Sequence, residues 1–137
     1  MGISKDLKKI QKDWEERFQK DPSLSTNHFL RFDNPPDKHV IDFIEENKIK
    51  PPKKVLDLGC GNGKNAKWLV ERGFEVYGVD FSESAIKFAR RNVKGAKFLV
   101  ACARDLPFKN NFFDVVIDAG TIHVNPPSER EYNFRSF

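Results

Sequence analysis

The chain has 137 residues, with 24 Lys+Arg against 20 Asp+Glu, a formal net charge of +4, and 39% hydrophobic residues that include 13 Phe. A chain of this length is one domain and hides roughly two-thirds of its unfolded surface, so it excludes a multidomain arrangement and a disordered coil. No apolar run reaches the roughly 18 residues that cross a bilayer, and the only cysteines, Cys60 and Cys102, cannot make a disulfide scaffold or a four-thiolate metal site.

The N-terminal stretch MGISKDLKKIQKDWEERF is charged throughout and lacks the apolar core of a secretory signal, so a cytoplasmic, reducing location is expected. The sequence pI is near 9.1. Lysines are nonetheless interleaved with acids, as in KDLKK, DWEER and EENKIKPPKK, and no arginine-rich block stands out. This pattern reads as a basic solvated face, not a nucleic-acid surface.

In chain order, Ile3, Leu7, Ile10, Trp14 and Phe18 fall at spacings of four, three, four and four, the stripe of an amphipathic helix over residues 3–18. Residues 23–36 carry little periodicity. Asn34-Pro35-Pro36-Asp37 predicts a break and then a helix with proline in its first turn, whose apolar face is Val40, Ile41, Phe43 and Ile44 and which ends near Asn47. Pro51-Pro52 separate this helix from the first strand. That strand is expected at Lys54 to Leu58, then a helix carrying Ala66, Leu69 and Val70 with Gly73 as its C-cap, then a strand at Phe74 to Val79. Ser82 is placed to cap a further helix with Ala85, Ile86, Ala89 and Val93 on its apolar face. Lys97 to Cys102 and Phe113 to Asp118 read as two more strands, and the link between them is too poorly periodic for a long helix. The fold class is α/β: a Rossmann-like parallel sheet with helices on both faces, preceded by N-terminal helices.

The chemistry concentrates where the first strand, Val55-Leu56-Asp57-Leu58, runs into Gly59-Cys60-Gly61-Asn62-Gly63 and a helix. Glycines let the main chain turn sharply and let a ligand approach it, and the helix N-terminus favours a carboxylate or phosphate. At the end of the second strand stands Asp80, 21 residues after Gly59, where a carboxylate can accept both hydroxyls of a ribose. A P-loop would need glycine at position 58 and Ser or Thr at 65; these are Leu58 and Asn65. A dinucleotide fingerprint starting at Gly59 would need glycine at 64, which is Lys64.

The turn G-x-G-x-G, with Asp57 two residues before it, resembles motif I of the class I S-adenosylmethionine-dependent methyltransferases. VLDLGCGNG, VYGVDFS, the LPF segment at Leu106 and the FDVV segment at Phe113 come in that family's order, so the resemblance covers about Lys53 to His123. It implies that S-adenosylmethionine is the cofactor and that Gly59, Cys60, Gly61 and Gly63 line its methionine moiety, with Asp57 holding the loop and the amino group. It further implies that Asp80 takes the ribose hydroxyls and Phe81 packs on adenine. Related sequences have an Asp for the adenine amino group where this chain has Cys102, followed by Ala103, whose N–H is positioned for the ring, and Arg104. Asp105 is the alternative carboxylate. Asp118 to His123 resembles the region where the methyl group meets its acceptor, and His123 is either a general base or a hydrogen-bonded structural residue.

The segment through Arg130 is similar to the small-molecule, thiopurine and tellurite-resistance branch, which implies methyl transfer to a small acceptor. Asn125-Pro126-Pro127-Ser128 arrives seven residues after Asp118 and ends in Ser rather than Tyr, and so reads as a loop, not as an NPPY motif. Within one domain, residues 1–50 are expected to form a helical lid and residues 51–137 a cofactor-binding core. The family's sheet has seven strands and only four are expected here, so the core reads as truncated and its sheet edge as open to pairing with a second copy. Two alternatives stand beside methyl transfer: an NAD(P)-binding oxidoreductase domain, and a cofactor-binding fragment without activity that pairs with another chain. No metal is implied.

Overall fold

The computed structural model describes residues 5–118. The elements run α1 (Lys5–Lys20), α2 (Lys38–Glu46), β1 (Lys54–Leu58), α3 (Lys64–Glu71), β2 (Glu75–Asp80), α4 (Glu83–Asn92), β3 (Ala96–Val100) and β4 (Val115–Asp118). All four strands are parallel, in the order β3-β2-β1-β4. The chain thus returns from the β3 edge to the far side of β1, and the C-terminal ends of β1 and β4 open a switch point of the kind where α/β sheets bind ligands.

Burial explains which strands are central. Val55 to Leu58 in β1 and Val76 to Asp80 in β2 are buried on both faces, as expected of strands covered above and below. β3 and β4 are less covered, with Val100 45% exposed. On one face Val55, Val76, Phe98, Val115 and Ile117 pack with Ala66, Trp68 and Leu69 of α3, Ile86 and Ala89 of α4, and Val40 and Ile44 of α2. Each large aliphatic side chain buried there contributes about 1.5 to 3 kcal/mol. On the other face Leu56, Leu58, Tyr77 and Val79 are covered, among the described residues, by the segment before β4. Phe108, Phe112 and Phe113 surround the Tyr77 ring at centroid distances of 5.8, 5.4 and 5.4 Å. Among the described residues, α2, α3 and α4 thus cover the first face and the aromatic segment packs on the other.

Several element ends differ from the sequence expectation. α2 starts at Lys38 with Asp37 at its N-cap, so the two prolines precede the helix instead of opening it. The cause is tertiary: the Asp37 carboxylate accepts from Asn65 Nδ2 at 3.1 Å and makes no capping bond. β3 ends at Val100, because Cys102 leaves the ladder and bridges to Asp105. β4 begins at Val115, Phe113 being held in the aromatic cluster. Ser82 caps α4 as expected, its Oγ accepting from Ala85 N at 3.1 Å. Ile3 lies outside the described residues, but Leu7 and Phe18 of the same stripe are buried. No described helix is long and apolar enough to cross a membrane.

Candidate functional site

β1 delivers the chain into the glycine turn, and the turn is tied to β2 at two points. Cys60 N donates to Val79 O at 2.9 Å, prolonging the ladder by one residue. Gly61 N donates to Asp80 Oδ2 at 2.9 Å, while Asp80 Oδ1 accepts from Ser82 N at 2.9 Å. One carboxylate thus fixes both the glycine turn and the start of α4. The turn needs glycine for two different reasons. At Gly61 (φ 53) the backbone is left-handed, and a Cβ would stand 3.4 Å from Phe18 Cζ. At Gly63 (φ 91) a Cβ would meet Val93 at 3.1 Å and Ala89 at 3.2 Å, so this glycine lets α3 and α4 pack closely.

These elements frame a cleft of about 210 Å³ across the C-terminal ends of β1 and β2. Its floor includes Gly59, Cys60, Gly61 and Asp80, and Leu58, Val79, Phe81, Ala101 and Ala103 add an apolar, partly aromatic wall. Its roof comes from α1, through Trp14 and Phe18, and from the segment between α1 and α2, through Leu24, Leu30 and Asp37. The Trp14 and Phe18 rings lie 5.9 Å apart, centroid to centroid. α1 is anchored by Glu15, which accepts from Ser82 Oγ at 2.6 Å, Ser84 N at 3.1 Å and Ser84 Oγ at 2.7 Å. Desolvation pulls the Glu15 carboxyl upward, but these hydrogen bonds outweigh it and hold the group below its ordinary value.

Two acids give the site its electrostatic character. Asp80 is 8% exposed; burial pushes it up to about 6, against the pull of its bonds from Ser82 and Gly61. Asp57, opposite Gly78 and Ile117 in the sheet, is buried with neither oxygen hydrogen-bonded. Burial first, then the nearby charges of Asp80, Asp37 and Asp118, push it up to about 8. A buried carboxylate without a donor is costly once ionised, so this end of the sheet favours a ligand that brings positive charge or N–H donors. A nucleoside carrying an amino-acid amine fits this set of residues. Asp80 offers acceptors for hydroxyls and the apolar wall a surface for a base, and an ammonium nearby would favour the ionised forms of Asp57 and Asp80.

The structure brings together six of the residues singled out in the sequence. Gly59, Cys60, Gly61, Asp80, Phe81 and Ala103 all line the cleft. Others stand elsewhere. Gly63 packs against α4 and does not line the cleft. Asp57 makes no hydrogen bond to the loop; Asp80 does that holding instead. The Cys60 thiol sits beside Gly78 and is pushed well above its ordinary value by burial and then by Asp57 and Asp80, so it stays protonated. Cys102 is not a lining residue: it bridges to Asp105, and its sulfur faces Gln11 Nε2 at 3.8 Å. Arg104 and Asp105 also stand outside the lining, as does Asp118, the last residue of β4, half-buried and opposite Leu58. His123 and the Asn125 to Ser128 segment lie outside the described residues.

Sequence reasoning missed Asn62, Lys64 and Asn65, and with them the 21–37 segment that they hold. Asn62 Nδ2 donates to Leu30 O at 3.2 Å, and Lys64 Nζ to Phe29 O at 2.7 Å. Asn65 exchanges two bonds with Asp37. A signal existed: a lysine opening a helix opposes the macrodipole, which points to a tertiary partner.

Residues 55–137 match the family model described as a methyltransferase domain. The chain is 37% identical over 86 residues to an uncharacterized methyltransferase of Synechocystis sp., covering 63% of this chain and 41% of that protein. It is 37% identical over 78 residues to the fatty-acid O-methyltransferase of Mycolicibacterium smegmatis, covering 54% of this chain and 28% of the relative. Among solved structures it is similar, with a TM-score of 0.74 and 28% identity, to a protein of echinomycin biosynthesis, where a disulfide bond is converted into a thioacetal group; 93% of this chain and 54% of that one are covered. The chain therefore spans less than half the length of these curated relatives. These matches do not favour the NAD(P) oxidoreductase alternative. By the family match, the order of its motifs and the β3-β2-β1-β4 sheet that carries them, the chain belongs to the class I S-adenosylmethionine-dependent methyltransferases.

Proposed function

We propose that this chain supplies the S-adenosylmethionine-binding portion of a methyltransferase that acts on a small-molecule acceptor. The observation that carries the reading is Asp80, which is tied to Gly61 N and Ser82 N and borders the cleft at the end of β2. Two hydrogen bonds leave a carboxylate with further acceptor sites, and these are what a ribose diol requires. The glycine turn would take the methionine end, and the wall of Phe81, Ala101 and Ala103 the adenine. The cofactor supplies a methyl group on a sulfonium, already activated as an electrophile. The chain's own work is to hold its ligand in one orientation and to exclude water, since positioning is the larger part of such a transfer. Trp14, Phe18, Leu24 and Leu30 contribute the exclusion. A small acceptor is supported by the fatty-acid O-methyltransferase relative and by the resemblance to the small-molecule branch.

The test is calorimetric titration with S-adenosylhomocysteine. The unsubstituted chain is expected to bind, and Asp80→Ala to weaken binding by at least about tenfold, the loss of charge-assisted bonds worth roughly 1.5 to 3 kcal/mol each. Equal affinity in the two proteins would remove the ribose assignment.

A further inference from the structure

We propose that Lys64 is a positioning residue: with Asn62 and Asn65 it fastens residues 21–37 over the glycine turn as a fixed roof, and this roof sets how long a ligand stays in the cleft. The second clause rests on the methyltransferase reading for the identity of the ligand; the first does not.

Lys64 is the first residue of α3 and only 7% exposed. An ammonium there is opposed by the helix dipole and by desolvation, so its burial needs strong partners. It has two, Phe29 O at 2.7 Å and Asp37 Oδ1 at 3.6 Å, and both belong to the segment above it. The neighbouring side chains act in the same direction. Asn62 Nδ2 donates to Leu30 O at 3.2 Å and Ser23 O at 3.4 Å, and its Oδ1 accepts from Lys64 N at 3.3 Å. Asn65 Oδ1 accepts from Asp37 N at 2.9 Å while its Nδ2 donates to the Asp37 carboxylate at 3.1 Å. Three polar side chains in four positions are thus spent on one segment.

That segment is preformed and under tension where it meets the cleft. Asp21 accepts from Ser23 Oγ and Ser25 N, and Asn27 Oδ1 from Phe29 N and Leu30 N, so residues 21–25 and 27–30 form two closed turns. Within the first, Leu24 sits at φ 52, a conformation that leucine keeps only when its surroundings impose it. Its side chain and that of Leu30 line the cleft. The latch therefore holds a folded loop with two apolar residues facing the ligand, and it is made of side chains that can open without disturbing the sheet.

The experiment compares the full chain with Lys64→Met, which keeps the apolar stem, and Lys64→Arg, which keeps the charge. The readouts are amide hydrogen exchange and the association and dissociation rates of S-adenosylhomocysteine. In Lys64→Met, protection over residues 23–37 should fall by about tenfold with β1 and β2 amides unchanged, and dissociation should quicken about tenfold with association altered much less. Lys64→Arg should recover part of both. Unchanged protection over 23–37 would overturn the latch, and so would a parallel loss in β1 and β2, which would make Lys64 a general stability residue. A loosened segment with unaltered dissociation would overturn the role in residence time. Absence of binding by the unsubstituted chain would overturn the methyltransferase reading and the residence-time clause with it, while exchange would still decide the latch.

Discussion

The floor of the cleft continues a parallel sheet: Cys60 N donates to Val79 O, and the carboxylate of Asp80 at the end of β2 accepts from Gly61 N. Its roof is held by side chains: Glu15 on the two serines at the head of α4, and Asn62, Lys64 and Asn65 on residues 21–37. The floor cannot shift without breaking the strands that make it, so a ligand seated on it would be held in one place. The roof can be released one side chain at a time, so it is suited to governing entry and exit.

Among substitutions, the largest expected effect comes from breaking the floor. An added Cβ at Gly78 in β2 would lie 2.6 and 2.7 Å from the Phe98 ring and 3.0 Å from Cys60 Sγ, and all three groups are buried. Gly78→Ala should therefore cost about 1 to 3 kcal/mol in urea unfolding, and stability close to that of the parent would mean that the ring has room to move. A roof change should cost less. Glu15→Ala removes the acceptor shared by Ser82 and Ser84 and should lower stability by about 1 kcal/mol, with extra exchange confined to α1 and the head of α4. Loss of protection spreading into β1 would show that floor and roof are one cooperative unit.

A further effect is one of pH, and it isolates the floor. Asp57 at about 8 and Asp80 at about 6 stand above their ordinary value of 3.8, so between these limits the folded chain holds protons that the unfolded chain has lost. Stability should then fall as pH rises from about 4 to 8, with the Asp80 part complete first. Thermal melting at pH 5 and pH 8 measures this, and Asp57→Asn, which cannot ionise, should flatten the decline. A decline of the same size in that variant would assign the dependence to other groups.

The same division governs what could be read without coordinates. The floor was legible because each part has a local signature: β-branched and apolar runs for β1 and β2, glycines at alternate positions for the turn, Ser82 for the cap, and Asp80 at a fixed interval from Gly59. The end of β3 was less so, since Val100 to Cys102 is apolar in sequence while Cys102 turns away to meet Asp105. The roof was barely legible. Residues 23–36 have no period, and their shape is set by Asn62, Lys64 and Asn65, between 28 and 39 positions away along the chain. Asp37 reads locally as a helix cap, yet its carboxylate is taken by Asn65. The aromatic cover of Tyr77 was likewise hidden, because Phe108 and Phe112 flank the polar Lys109-Asn110-Asn111 turn and Phe113 reads as the start of the last strand.

The proposed ligand, a nucleoside bearing an amino acid, would sit on the floor against Asp80, beneath a roof made of α1 and residues 21–37. An NMR titration of the nitrogen-15-labelled chain with S-adenosylhomocysteine tests it most directly. The largest shifts are expected at the Gly61 and Ser82 amides, which report on the Asp80 carboxylate, with further shifts at Gly59, Phe81 and Ala103. Saturable binding that leaves the Gly61 and Ser82 amides in place would contradict it.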